Sequence, residues 1–223
     1  TVNKQAYLEH ARQALPLFKE YGAARMVEAW GDDVPKGKRN DLQGAVQATA
    51  EEAVVFGWME YPDKATRDAA FEKMMADPSM QEMPEMPFDG KRMVFGGFDA
   101  LCGAGSARGG YIDGYLLPVP AGNREAYREM AGKAADVILE YGALRVVEAW
   151  GDDVAEGKVT DFHRAVLAGE GEGIVFSWIE WPSKQARNEA WPKLMKDTRM
   201  PGSEMPFDGK RMVYGGFETI LDD

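Results

Sequence analysis

The sequence predicts an α+β chain of two βαββαβ repeats, folded against each other as a pseudo-twofold barrel. Three observations lead there. The nine residues Met86–Val94 recur unchanged at Met205–Val213, an identity that marks a tandem duplication. Within each copy the apolar spacing alternates between helical and strand-like periods in the order of the ferredoxin-like split βαβ unit. Such a unit carries its helices on one face of a four-stranded sheet, so the other face needs a cover, and the second copy supplies one.

The copies align with an offset of 120, from Asn3 and Asn123 onward, which becomes 119 after Met200. About half of the aligned positions are identical. Asn3 and Asn123 are predicted helix N-caps. The stripe Tyr127, Met130, Ala131, Ala134, Val137, Ile138 and Tyr141, echoed by Tyr7, Ala11, Ala14, Phe18 and Tyr21, is that of an amphipathic helix. Gly22 and Gly142 end it as C′ residues. Strands are expected at Arg25–Trp30 and Arg145–Trp150, closed by Gly-Asp-Asp turns. A polar segment follows, with a short strand expected at Ala45–Ala48 and Ala165–Ala168. Val54–Glu60 and Ile174–Glu180 read as further strands, rich in β-branched and aromatic residues. Asp63 and Ser183 cap second helices, Lys64–Ala76 and Lys184–Lys196, the latter interrupted by Pro192. The repeated nonapeptide opens with a Pro-Phe-Asp-Gly turn and leads into strands Arg92–Leu101 and Arg211–Leu221. These readings divide the chain into a first repeat at 1–102, a glycine-rich linker at 103–110 and a second repeat at 111–223.

One asymmetry stands out. Tyr111–Pro120 is a strand leading the second repeat, whereas the first repeat starts at its helix. An equivalent strand is expected to be encoded upstream of Thr1. Without it the first sheet has an open edge, for which a neighbouring chain, and so a further homodimer, is the expected cover.

With 37 acidic and 26 basic residues the net charge is -11. An acidic surface repels phosphate backbones and anionic lipid, so neither nucleic acid nor membrane is an expected partner. Cys102 is the sole cysteine, which excludes an intrachain disulfide and fits a cytoplasmic location. One cysteine and the histidines His10 and His163 do not make a zinc site, and no phosphate-binding glycine loop is present. No metal or cofactor is expected.

The segments Tyr111-Ile112-Asp113-Gly114-Tyr115 with Pro118-Val119-Pro120, Asp152-Asp153-Val154 with Gly157-Lys158, Phe176-Ser177-Trp178, and Met205–Val213 with Gly215-Gly216-Phe217 resemble the bacterial YbaA-like family of unknown function (domain of unknown function 1428). The resemblance covers nearly the whole chain, twice. It implies the dimeric α+β barrel, here an internal pseudo-dimer within one chain. It carries no established activity; the superfamily includes cofactor-free monooxygenases, isomerases and haem-handling enzymes, which is fold-level analogy.

Candidate site residues are read from residue type and placement. His163, on the polar loop where the first repeat has Gln43, is the better placed of the two histidines for acid–base work. Asp113 and Tyr115 share one strand face, an arrangement suited to an acid–base pair. These three are the catalytic candidates. Trp30, Trp58, Trp150 and Trp178 offer apolar walls for a flat ligand. Arg92 and Arg211, in the duplicated Lys-Arg pair, suit a ligand carboxylate or an ion pair to the Asp32-Asp33 and Asp152-Asp153 turns. A ligand is expected near Trp150, His163, Trp178 and Arg211, with an equivalent place near Trp30, Gln43, Trp58 and Arg92. The leading functional reading is a small-organic-molecule binder in a barrel pocket. The alternative is a cofactor-independent oxygenase or isomerase. RNA binding, suggested by the basic–aromatic strand Lys210–Phe217, is disfavoured by the charge.

Overall fold

The computed structural model describes residues 1–78, 85–202 and 204–223. The first repeat contributes α1 (Lys4–Glu20), β1 (Arg25–Asp33), the short α2 (Leu42–Ala45), β2 (Val55–Glu60), α3 (Lys64–Ala76) and β3 (Gly97–Gly105). The second contributes β4 (Tyr111–Pro120), α4 (Arg124–Glu140), β5 (Arg145–Asp153), the short α5 (Phe162–Ala165), β6 (Glu172–Trp181), α6 (Lys184–Leu194) and β7 (Val213–Asp222).

Local signals explain most of these boundaries. The Asn3 side chain accepts from the Ala6 N–H at 3.0 Å, and Gly22 and Gly142 follow the first helices at φ +105° and +100°, a region glycine enters without steric cost. Asn123 behaves differently: its amide donates to the Pro206 carbonyl at 2.8 Å and makes no cap bond. Pro192 sits in the last turn of α6, which ends at Leu194, whereas α3 runs to Ala76, the counterpart of Lys196.

Three local expectations are corrected. Gly31-Asp32-Asp33 and its counterpart continue strands β1 and β5 instead of turning, because neighbouring strands pair with them to their last residues. The short strands expected at Ala45–Ala48 and Ala165–Ala168 are instead preceded by one-turn helices capped by Asp41 and Asp161, and the chain then leaves through Gln47 and Leu167 at positive φ. The final strands begin later than expected, after a 3-10 turn at Gly90–Arg92 and Gly209–Arg211.

Among the described residues, all seven strands join one antiparallel sheet in the order β2-β1-β7-β4-β6-β5-β3. The run β7-β4-β6-β5 is the complete ferredoxin-like sheet of the second repeat. The repeats meet edge to edge, β7 on β1 and β3 on β5. The sheet curls into a barrel: side chains from β2 and β6, with three strands between them in the order, stack inside it, Phe56 on Phe176 at 4.6 Å and Trp58 on Trp178 at 4.4 Å between ring centroids. Phe98, Phe162 and Phe217 complete this aromatic filling. Outside, α1 packs on β1 and β7, while α4 covers β3, β5 and β4.

Each barrel end has its own closure. At one end α2 and α5 meet, with Leu42, Phe162, Ala165 and Val166 in the core. At the other, charged residues from both repeats cross. Arg25 donates two bonds to Glu180, both 2.8 Å, and Arg145 donates two to Glu60 at 2.6 and 2.8 Å. The Trp58 and Trp178 indoles donate to Glu60 and Glu180 at 3.1 and 3.2 Å. Each guanidinium also lies over one of these indoles, at 5.8 and 5.7 Å. Asp222 adds a second carboxylate to Arg25, and the Gly109 N–H donates to Glu180.

Glu180 is fully buried, and removing one partner of a buried, bidentate pair leaves an uncompensated charge. Glu180→Gln is expected to lower stability by about 3–5 kcal/mol in urea unfolding. Glu60→Gln, at the more open end of the crossing, is expected to cost less. Small, equal losses would contradict the assignment of this crossing as the join between repeats.

Candidate functional site

The duplicated chemistry of the chain lies on the outer face of the sheet, under the first helix of each repeat. Residues on β5 alternate: Val147 and Ala149 point into the barrel, so Val146, Glu148 and Trp150 point toward the helices. A glutamate in that layer must find a partner from the helix above. Tyr127, on the buried stripe of α4, supplies it, its hydroxyl donating to the Glu148 carboxyl at 2.6 Å. The first repeat repeats the arrangement, with Tyr7 of α1 donating to Glu28 of β1 at 2.8 Å.

Burial sets the electrostatics. Desolvation pushes both carboxyls up, to about 7, and outweighs the phenolic hydrogen bond that favours the charged form. The same desolvation, reinforced by the neighbouring carboxyl, raises the phenols well above their ordinary range. Each pair therefore holds an exchangeable proton on the carboxyl near neutrality, beside a phenol that stays protonated.

The two surroundings differ. Around Glu148 stand the buried Ser177, its cross-strand neighbour, Tyr115 and the Cys102 thiol, which burial pushes up to about 11. Tyr115 stacks on the exposed Tyr214 at 6.2 Å, so the cluster reaches the surface along two rings. Around Glu28 the counterpart of Ser177 is the exposed Gly57, and Tyr7 packs edge-on against Trp30 at 6.3 Å and against Phe88 at 5.7 Å. His10 lies against the same Phe88 at 6.1 Å, its imidazole held below its usual range by burial. Both glutamate residues are half-buried overall, with their carboxyls turned in under the helices toward the tyrosines.

The residues singled out from sequence fall in four places. Trp58 and Trp178 are inside the barrel, packed on each other and on the crossed ion pairs. Trp30 and Trp150 are on the outer face, Trp150 lying over Gly173 with the Arg124 guanidinium 5.5 Å from its ring. Thus Trp150 and Trp178 occupy opposite faces of the sheet. His163, on α5, sits with Nε2 3.3 Å from the Val154 carbonyl oxygen at the closed barrel end. Arg92 and Arg211 are ion-paired, but not to the Asp-Asp segments: Arg92 donates to both Glu52 oxygens at 2.8 and 2.7 Å, and Arg211 to both Glu172 oxygens at 2.6 and 2.7 Å. Those bonds hold Glu52 down at about 2 and lower Glu172. Each arginine also bonds the Asp of its own turn, Asp89 or Asp208. A hollow of about 200 Å³, lined by Gly31, Asp32, Gln43, Glu52 and Val54, opens beside Gln43 in the first repeat.

Asp113 and Tyr115 share a face as expected, yet Asp113 is a structural hub. It accepts from the Trp181 and Trp191 indoles at 2.9 and 2.8 Å and from Arg187 at 2.9 Å, tying α6 to the sheet. Burial pushes its carboxyl up, opposed by Arg187. Asp32 and Asp152 are likewise engaged, by Lys184 and Tyr111 and by Arg67 and Lys64. The sequence reading missed Glu28, Glu148 and their tyrosines. The available signal was a charged residue in mid-strand, identical in both copies, between apolar neighbours.

Comparison with known proteins agrees with this architecture. The chain matches the family described as "Protein of unknown function (DUF1428)" over residues 1–90 and 110–209. It is 59% identical over 115 residues to "Uncharacterized protein YbaA" of Escherichia coli (strain K12), and equally to that of Shigella flexneri; the match spans 51% of this chain and 98% of the relative. Among solved structures, an anthrone oxidase-like protein superposes over 100% of this chain and 89% of its own, with TM-score 0.51 and 12% identity, a likeness of fold alone. With the family matched in both halves, the chain belongs to the DUF1428 family, two copies of whose domain form one barrel.

Proposed function

We propose that the protein binds a small organic molecule at the outer face of the second repeat, against Tyr115, Cys102 and Tyr214, and that Glu148 exchanges a proton with it. The observation that carries this reading is the carboxyl–phenol pair beneath the first helix of both repeats, whose carboxyl desolvation pushes up to about 7. A general base works best when its pKa lies near the operating pH, and perturbed carboxyls of this kind gather at functional sites. Oxygenation without a cofactor and isomerisation both begin by moving a proton on an organic substrate. A carboxylate at Glu148 would accept that proton, with Tyr127 and Ser177 holding its orientation. The first repeat, with Gly57 in place of Ser177, retains the carboxyl–phenol pair in a more open setting.

A flat tricyclic ketone such as anthrone, chosen because the structural neighbour is described as anthrone oxidase-like, is a suitable first probe. Tryptophan fluorescence quenching should show saturable binding, and any turnover should fall at least about a hundredfold in Glu148→Gln. His163→Gln, which copies Gln43 of the first repeat into the second, should leave both unchanged. Retention of turnover by Glu148→Gln together with its loss in His163→Gln would move the site to the α5 end of the barrel.

The same carboxyls govern stability against pH. A folded pKa near 7 lies above the unfolded value near 4.5. The folded chain then binds more protons than the unfolded one between those values, so stability falls as pH rises through that window. The loss is on the order of 3 kcal/mol per carboxyl. Urea unfolding at pH 5 and pH 8 should show a decline that shrinks in Glu148→Gln and nearly disappears in the Glu28→Gln/Glu148→Gln double variant. A wild-type stability that rises across this range would contradict the raised carboxyls.

A further inference from the structure

We propose that the turn Met205–Met212 is a lid over the Glu148–Tyr127 pair, and that the first repeat holds this lid shut through Arg39 and Asn40. Its place in the chemistry rests on the reading of that pair as the proton-exchanging site. The turn belongs to the nine residues that the two repeats share unchanged, for which proton exchange at Glu148 gives no reason. Phe207 packs edge-on against the Tyr127 ring at 5.7 Å, as Phe88 packs against Tyr7 in the first repeat. Met212 packs into the same cluster, with Leu117, Val119 and Tyr127. Beneath them Tyr127 is 3% exposed. Lifting Phe207 and Met212 would bare the phenol that bonds Glu148.

The turn is built to come away from the sheet. It lies outside the ladder, since the pairing of β7 with β4 begins at Val213. Its own repeat pins it by side chains: the Asn123 amide donates to the Pro206 carbonyl at 2.8 Å, and Arg211 reaches both Glu172 oxygens and the Leu167 carbonyl, the last at 3.0 Å. Leu167 stands at φ +52°, and Gln47, whose carbonyl accepts from Arg92, at φ +50°. A side chain other than glycine is strained there, and such strain persists only where neighbours enforce it. Releasing the arginine relaxes the backbone that it grips.

The other repeat adds a catch, and it does so on one side. The Asn40 amide donates to the Arg211 carbonyl at 3.3 Å and to the Ala165 carbonyl at 2.7 Å. Arg39 donates to Asp208 at 3.3 Å, the carboxylate that also caps the turn through the Lys210 N–H. At the matching positions the second repeat has Val159 and Thr160. Val159 is exposed and has no donor for Asp89. Thr160 is buried, and its hydroxyl has no partner among the described residues. The loop of the first repeat therefore grips the turn of the second, without the reverse grip. Lids of this kind control both entry and the exclusion of water, so the first repeat governs access to the site of the second.

Hydrogen exchange at the Lys210, Arg211 and Met212 amides, which bond within the turn, reports its opening without a ligand. Arg39→Val/Asn40→Thr, which copies the second repeat's pair into the first, should speed that exchange about tenfold, as for one lost hydrogen bond. Exchange at Lys91, Arg92 and Met93 should stay as it was. The reverse graft, Val159→Arg/Thr160→Asn, should slow exchange at Lys91, Arg92 and Met93 by a similar factor, a gain that a destabilised chain cannot imitate. Hydroxyl-radical footprinting should show Tyr127 growing more reactive in the first variant, in step with the exchange. Unchanged exchange in either variant would overturn the catch, and faster exchange with an unchanged Tyr127 footprint would overturn the lid. Neither readout needs a substrate. Turnover kept by Glu148→Gln would instead sink the reading of the site, while the lid stands or falls on Tyr127.

Discussion

The crossing of Arg25 with Glu180 and Arg145 with Glu60 is the constraint on which the rest of the barrel depends. Each arginine begins a strand of one repeat and reaches a glutamate at or next to the end of a strand of the other. A charge in a barrel interior is tolerated only when paired and hydrogen-bonded. Neither repeat can satisfy its own arginine and glutamate this way, because the bidentate partner lies in the other copy. Arginine suits the task better than lysine, since its planar fork matches a carboxylate and stacks on an indole. The crossing therefore sets how the repeats face each other, and the aromatic stack of Phe56, Phe176, Trp58 and Trp178 fills the space that this registration defines.

Departures from the twofold pattern follow from sequence differences at a few places. Asp222 reinforces Arg25, whereas its counterpart is Gly103, which has no side chain to offer Arg145. The Asp113 hub and Tyr115 belong to β4, which has no counterpart among the described strands of the first repeat. Gly57 stands at the first-repeat position that corresponds to Ser177. The duplicated elements of the site are the glutamate and the tyrosine, and the accessory groups around them have diverged.

The fold was legible because it rests on periodicity, caps and an internal repeat, all of which sequence displays directly. Gly22, Gly142 and Asn3 do what their types imply. The one-turn helices at Leu42 and Phe162 escaped because a single capped turn leaves too few residues for a helical period. The site was legible only in part. Tryptophan and histidine drew the eye by type, but strand alternation sends Trp178 into the barrel and Trp150 outward. Arg92 and Arg211, read as carboxylate binders or as partners of the Asp-Asp segments, pair instead with Glu52 and Glu172, which come close only after the polar segment folds back. Glu28 and Glu148 were hidden because their importance comes from desolvation by a helix, which no local pattern reports.

Burial beneath α4 raises the Glu148 carboxyl to about 7. Carbon-13 NMR titration of the glutamate side-chain carboxyls, with Glu148 assigned by its absence in Glu148→Gln, tests this most directly. The account predicts a Glu148 midpoint close to 7. A midpoint near the ordinary value of about 4.3 would show a solvated carboxylate at that position and contradict the account.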